Sequence, residues 1–174
     1  MSTKQKHIPC LITIFGATGD LSHRKLFPSI FHLYQQDNLD EHIAIIGIGR
    51  RDYNNEQFRD QVKASIQTYV KDTDRIDEFM THVFYHKTDV SDKESYQSLL
   101  QFSERLDSEF ALGGNRLFYL AMAPQFFGVI SDYLKSSGLT QTTGFKRLVI
   151  EKPFGSDLKS AESLNNQIRR SFKE

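Results

Sequence analysis

Two glycines three residues apart close an apolar run: Leu11–Phe15 leads into Gly16-Ala17-Thr18-Gly19-Asp20-Leu21. A glycine turn between a strand and a helix brings backbone N–H groups close to an anion, and the helix N-terminus adds partial positive charge. The chemistry this predicts is phosphate binding, placing a nucleotide at the first turn of an α/β sheet. The pattern reads G-x-x-G-x-L rather than G-x-G-x-x-G. An ordinary βα turn that uses glycine for a positive φ has the same appearance, so other residues must decide.

Four later segments end in residues of the right type. Ile46-Gly47-Ile48-Gly49 is followed by Arg50, Arg51 and Asp52. An acidic residue after this strand grips a ribose hydroxyl in an NAD site, whereas a guanidinium fork suits the 2′-phosphate of NADP. Arg50 and Arg51 therefore point to NADP, with NAD still open. Asp52 is an alternative ribose ligand, and solvated loop charges are the bland reading. The spacing from Gly19 exceeds the usual ~20 residues. Thr88-Asp89-Val90-Ser91 can flank an adenine ring, although Asp89 or Ser91 is favoured as a cap for the next helix. Leu120-Ala121-Met122-Ala123-Pro124 has small residues that leave room for a dinucleotide, with Pro124 opening a helix. Val149-Ile150-Glu151-Lys152-Pro153-Phe154-Gly155 puts Lys152 where a parallel strand meets the ligand crevice. Lys152 can meet a phosphate, a carboxylate or a reacting oxygen, or pair with Glu151 at the surface. Pro153 permits a cis bond.

The elements that must position these residues alternate. Strands are expected at Leu11–Phe15, Ile43–Ile48, Val83–Lys87, Arg116–Ala121 and Arg147–Glu151, as short apolar runs between polar segments. Helical stripes lie between them: Leu26, Ile30 and Leu33, with Pro28 expected to kink or shorten the first; Phe58, Val62, Ile66 and Tyr69; Tyr96, Leu99, Leu100, Ser103, Leu106 and Phe110; Phe126, Phe127, Ile130 and Leu134; and Leu158, Ala161, Leu164 and Ile168. Five βα alternations imply a doubly wound parallel sheet in three α/β/α layers. No sixth strand follows, so residues 1–174 are expected to be one nucleotide-binding domain of a longer parent.

The 174 residues suit one sizeable core. Lys plus Arg and Asp plus Glu both total 22, and the zero net charge argues against nucleic-acid or anionic-membrane partners. The single cysteine, Cys10, reads as a small buried residue in a reducing cytoplasm, and the six histidines lack metal-ligand spacing. The short apolar run after the polar N-terminus is neither a signal peptide nor a membrane span.

Taken together, Gly16–Leu21 with Arg24-Lys25-Leu26 and Pro28, Gly49-Arg50, Asn115-Arg116-Leu117-Phe118-Tyr119 and Glu151-Lys152-Pro153-Phe154-Gly155 resemble the coenzyme domain of bacterial glucose-6-phosphate dehydrogenases. The similarity covers nearly the whole chain. It implies a Rossmann-like domain, cytoplasmic location, a homo-oligomeric parent, and oxidation of glucose 6-phosphate by NADP⁺ to the lactone in the pentose phosphate pathway. It also implies roles: pyrophosphate at Gly16, Ala17, Thr18, Gly19, Asp20 and Leu21; the 2′-phosphate at Arg50 with Arg51 helping; adenosine beside Asp89 and Val90; the nicotinamide half near Ala123 and Pro124; coenzyme and sugar at Lys152.

Ser22 stands where many members carry alanine, a change expected to be harmless. The family's histidine base, its aspartate partner and its sugar-phosphate motif come later than Glu174. No residue here is assigned to catalysis, and the chain alone is expected to be inactive. The last strand is expected to have an exposed edge. Two alternatives are a sugar oxidoreductase of the Glu-Lys-Pro Rossmann class, whose members usually carry G-x-G-x-x-G, and a non-catalytic NADP-sensing module.

Overall fold

A computed structural model describes residues 7–151 and 157–172. Five strands, β1 (Cys10–Phe15), β2 (Ile43–Gly49), β3 (Val83–Lys87), β4 (Arg116–Leu120) and β5 (Lys146–Ile150), form one parallel sheet in the order β3-β2-β1-β4-β5. β2 is buried from Ile43 to Ile48, because a central parallel strand is covered on both faces and carries no polar alternation. β5 lies at an edge with Lys146 and Arg147 exposed, charges that discourage further strand pairing.

The helices cover both faces, giving the expected three layers. On one side α1 (Phe27–Gln35), α2 (Asn55–Tyr69) and α3 (Ile76–Met80) enclose a core that includes Ile14, Ile45, Phe31, Phe58 and Phe79. On the other, α4 (Ser95–Phe110), α5 (Phe127–Ser136) and α6 (Leu158–Ser171) enclose Phe15, Ile46, Tyr96, Leu106 and Phe127. Successive strands run outward from β1 to β3, then restart at β4 beside β1. That reversal opens a crevice above the C-terminal ends of β1 and β4.

The first helix differs from its expected stripe. A π-helical turn, Ser22–Leu26, precedes α1, and the Phe27 N–H bonds the Ser22 carbonyl five residues back. Pro28 has no N–H and its ring would crowd the Arg24 carbonyl in a regular α-helix; the wider turn accommodates it. The extra residue also rephases the helix. Ser22, Phe27, Phe31 and Tyr34 are buried, while Leu33 is 42 % exposed. Tyr69 and Leu158, expected in buried stripes, are likewise exposed. α3 was not expected; its five residues hold Ile76, Phe79 and Met80 in the core.

Candidate functional site at the sheet reversal

Gly16 begins the turn at the crevice floor. Its φ is +82°, and a Cβ there would lie 2.5 Å from the Ala121 carbonyl oxygen and 2.8 Å from Met122 Cγ. Only glycine allows both the left-handed backbone and this approach of β1 to the end of β4. The Gly16 and Ala17 N–H groups both donate to the Ile48 carbonyl, at 3.2 and 3.0 Å, which ties the turn to β2. Gly19 N–H donates back to the Gly16 carbonyl at 3.0 Å.

His23 N–H makes the first helical bond, to the Gly19 carbonyl at 3.2 Å. The N–H groups of Asp20, Leu21 and Ser22 therefore precede the helical ladder and have no acceptor within the helix. Thr18 N–H also donates to no group among the described residues. Among the described residues, the backbone donors of this stretch without an acceptor are thus those of Thr18 and Asp20–Ser22. Ser22, fully buried, donates its hydroxyl to the Gly16 carbonyl at 3.0 Å.

A cavity of about 360 Å³ lies over this floor. Of the expected residues, Gly16, Thr18, Gly19, Arg50, Asp89, Val90 and Ala123 line it together. Ala17 is instead buried beneath α1 and α2. Asp20 is exposed and pairs with Arg24 at 3.3 Å. Leu21 and Pro124 lie outside the lining; Pro124 opens a 3-10 turn, Pro124–Phe126, ahead of α5. Lys152 and the Lys152–Pro153 bond lie outside the described residues. Glu151 accepts a hydrogen bond from the Tyr119 hydroxyl at 3.1 Å. Burial, then Glu151, pushes that phenol up to about 12.

The structure separates the three charged residues after β2. Arg50 is exposed at the cavity and makes no hydrogen bond or ion pair among the described residues. Arg51 donates to the Tyr53 hydroxyl at 3.0 Å, and its carbonyl accepts from Tyr85 at 2.7 Å. Asp52 pairs with Lys87 at 3.4 Å. Gly49 is what lets this corner close: a Cβ there would meet the Tyr85 hydroxyl at 2.9 Å and Thr18 Cγ2 at 3.0 Å.

Neither Asp89 nor Ser91 caps α4, whose N-cap is Glu94 with no side-chain bond. Asp89 instead accepts from the Ser91 N–H at 2.9 Å, forming an Asx turn at the rim. Val90 is buried and its carbonyl accepts from Tyr96 at 3.0 Å, so a rigid apolar ledge faces the cavity. Thr88, Met122 and Phe126 also line it, although the sequence alone gives none of them a binding role. Thr88 and Met122 belong to the Thr88–Ser91 and Leu120–Pro124 segments, and only the depth of the crevice reveals them. Phe126 falls in a helical stripe that reads as core, with no binding signal in the sequence. Among the described residues no cluster of three or more His, Cys, Asp or Glu could hold a metal, and no helix is long and apolar enough to cross a membrane.

An anionic ligand with an apolar part fits these residues: Thr18, Arg50, the small Ala121 and Ala123 and the apolar Val90 border one cavity. Residues 13–174 match the family described as glucose-6-phosphate dehydrogenase, NAD binding domain. The chain is 50 % identical over its full length to glucose-6-phosphate 1-dehydrogenase of Bacillus subtilis (strain 168), covering 35 % of that protein. It is 43 % identical to the Leuconostoc mesenteroides enzyme, over 95 % of this chain and 34 % of the relative. A solved glucose-6-phosphate dehydrogenase in complex with its substrate glucose-6-phosphate superposes with a TM-score of 0.85 at 36 % identity, over 99 % of this chain and 36 % of that one. The Mycobacterium avium glucose-6-phosphate 1-dehydrogenase gives 0.78 at 30 % identity, over 95 % of this chain and 34 % of that one. The chain thus spans about a third of the length of the relatives it matches. The parallel sheet, the glycine turn at its reversal and these matches agree: the chain belongs to the glucose-6-phosphate dehydrogenase NAD binding domain family.

Proposed function

We propose that this chain is the coenzyme-holding part of an NADP-dependent glucose-6-phosphate dehydrogenase, working in the cytoplasm within a homo-oligomeric parent. The observation that carries the coenzyme choice is Arg50, exposed at the cavity with no partner among the described residues, while its two neighbours are engaged by Tyr53 and Lys87. A free guanidinium beside a ribose site favours a phosphate, and the nearby carboxylate of Asp52 is already paired. In this reading the N–H groups of Thr18 and Asp20–Ser22 hold the pyrophosphate. Val90 and the Asp89 turn support the adenosine, and Ala123 with the 3-10 turn borders the nicotinamide half. When bound, the nicotinamide supplies C4 as hydride acceptor. Lys152 is assigned to the coenzyme–sugar boundary on the family resemblance alone.

Calorimetric titration with NADP⁺ and NAD⁺ in parallel tests the reading. Charge-assisted hydrogen bonds are each worth ~1.5–3 kcal/mol. Arg50→Ala is therefore expected to weaken NADP⁺ by roughly tenfold to a hundredfold and NAD⁺ far less; equal losses would refute the role. No residue of this chain is assigned to take the sugar C1-hydroxyl proton, and orientation without a base gives little turnover. The purified chain is expected to bind coenzyme yet produce no absorbance rise at 340 nm with glucose 6-phosphate and NADP⁺. Robust NADPH formation would show that it carries its own base.

A further inference from the structure

We propose that Ser22 is a positioning residue for the coenzyme turn, its hydroxyl fastening the start of the helix to the Gly16 peptide; this rests on the coenzyme reading of the crevice. A helical serine ordinarily bonds a carbonyl three or four residues back. Ser22 instead reaches six residues back, to the Gly16 carbonyl at 3.0 Å, from a fully buried position. The Gly16–Ala17 peptide is thereby held at three points. Its N–H donates to the Ile48 carbonyl at 3.0 Å, and its oxygen accepts from Gly19 N–H and from the Ser22 hydroxyl, both at 3.0 Å. Two of these bonds come from backbone that any sequence supplies. The third exists because residue 22 carries a hydroxyl.

The bond fixes the helix start relative to β1 and β2. The open N–H donors of Asp20, Leu21 and Ser22 belong to that start, while Arg50 belongs to the end of β2. Alanine at 22 would free the helix start to shift by one constraint, without leaving the Gly16 oxygen unpaired, since Gly19 still donates. The loss should therefore be modest and confined to the phosphate-holding turn, in contrast to the expectation from the sequence that alanine at 22 is harmless.

The experiment compares wild type, Ser22→Ala and Ser22→Cys by calorimetry with NADP⁺ and with 2′-AMP. The smaller ligand carries the adenosine and 2′-phosphate but no pyrophosphate. Ser22→Ala is expected to weaken NADP⁺ about two- to tenfold, the worth of one ordinary hydrogen bond, and to leave 2′-AMP unchanged. Ser22→Cys, with its weak donor, should fall between. Hydrogen exchange of the Gly19 amide in the ligand-free chain should speed up in Ser22→Ala. Unchanged NADP⁺ affinity overturns the proposal, and so do equal losses for both ligands, which would mark general loosening. Should Ser22→Ala fail to fold, the Ser22→Cys comparison decides alone. Failure of wild type to bind either ligand would instead overturn the coenzyme reading, and Gly19 exchange would still report whether the hydroxyl holds the turn.

Discussion

At the scale of single residues, chemical type nominates and partnership decides. Arg50, Arg51 and Asp52 are adjacent and charged, yet only Arg50 reaches the cavity free of partners among the described residues. A sequence cannot show that Tyr53 and Lys87 engage the other two, because those contacts depend on how the corner after β2 folds. Cys10 follows the same rule. Burial on β1 pushes its thiol up to about 12, so almost no thiolate exists at neutral pH. Since the thiolate is the reactive form, native protein at pH 8 should react with a thiol reagent slower than denatured protein by on the order of a hundredfold or more. A chromogenic disulfide assay with and without denaturant measures this, and equal rates would show an accessible thiolate.

At the scale of elements, what the sequence made legible was what depends on neighbours in the chain. β3 has the expected bounds, and the other four strands differ by a residue at one or both ends, because periodicity and apolar runs are local signals. α2 begins with a reciprocal cap in which Asn54 accepts from the Gln57 N–H at 2.8 Å, and Gln57 returns a bond to the Asn54 N–H. The short α3 was illegible because its hold is tertiary. Glu78 accepts from the Tyr34 hydroxyl of α1 at 2.6 Å and pairs with Arg75 at 3.0 Å, while Arg75 stacks over the Tyr34 ring. Arg75, then Tyr34, lowers the Glu78 carboxyl to about 2. Its unfolded value is higher, so this contribution to stability is complete above about pH 4.5 and is lost as pH falls toward about 2. Glu78→Gln should therefore flatten the acid limb of a stability–pH curve from chemical denaturation, with its largest effect near neutrality. An unchanged slope between pH 5 and 2 would mean that the network does not hold α3.

At the scale of the whole molecule, two apolar cores share one sheet and end at the same crevice, the first through Ala121 and the second through Ile48 and Val90. Right-handed βα alternation makes the parallel sheet and a crevice at the C-terminal ends of its strands readable from the sequence, whereas the order β3-β2-β1-β4-β5 is a property of the fold that alternation alone does not set. The phase between the turn and the core is not readable either. It is set by the wide turn at Ser22–Leu26, which carries one residue more than a regular helix would use. That surplus residue acts like a single tooth on a gear. Three of the side chains there can be exchanged, since His23, Arg24 and Lys25 lie at or near solvent. Their number cannot, because losing one would turn Phe27, Phe31 and Tyr34 by about 100° away from the sheet while the glycines stayed in place. Length in this stretch is therefore under tighter constraint than composition.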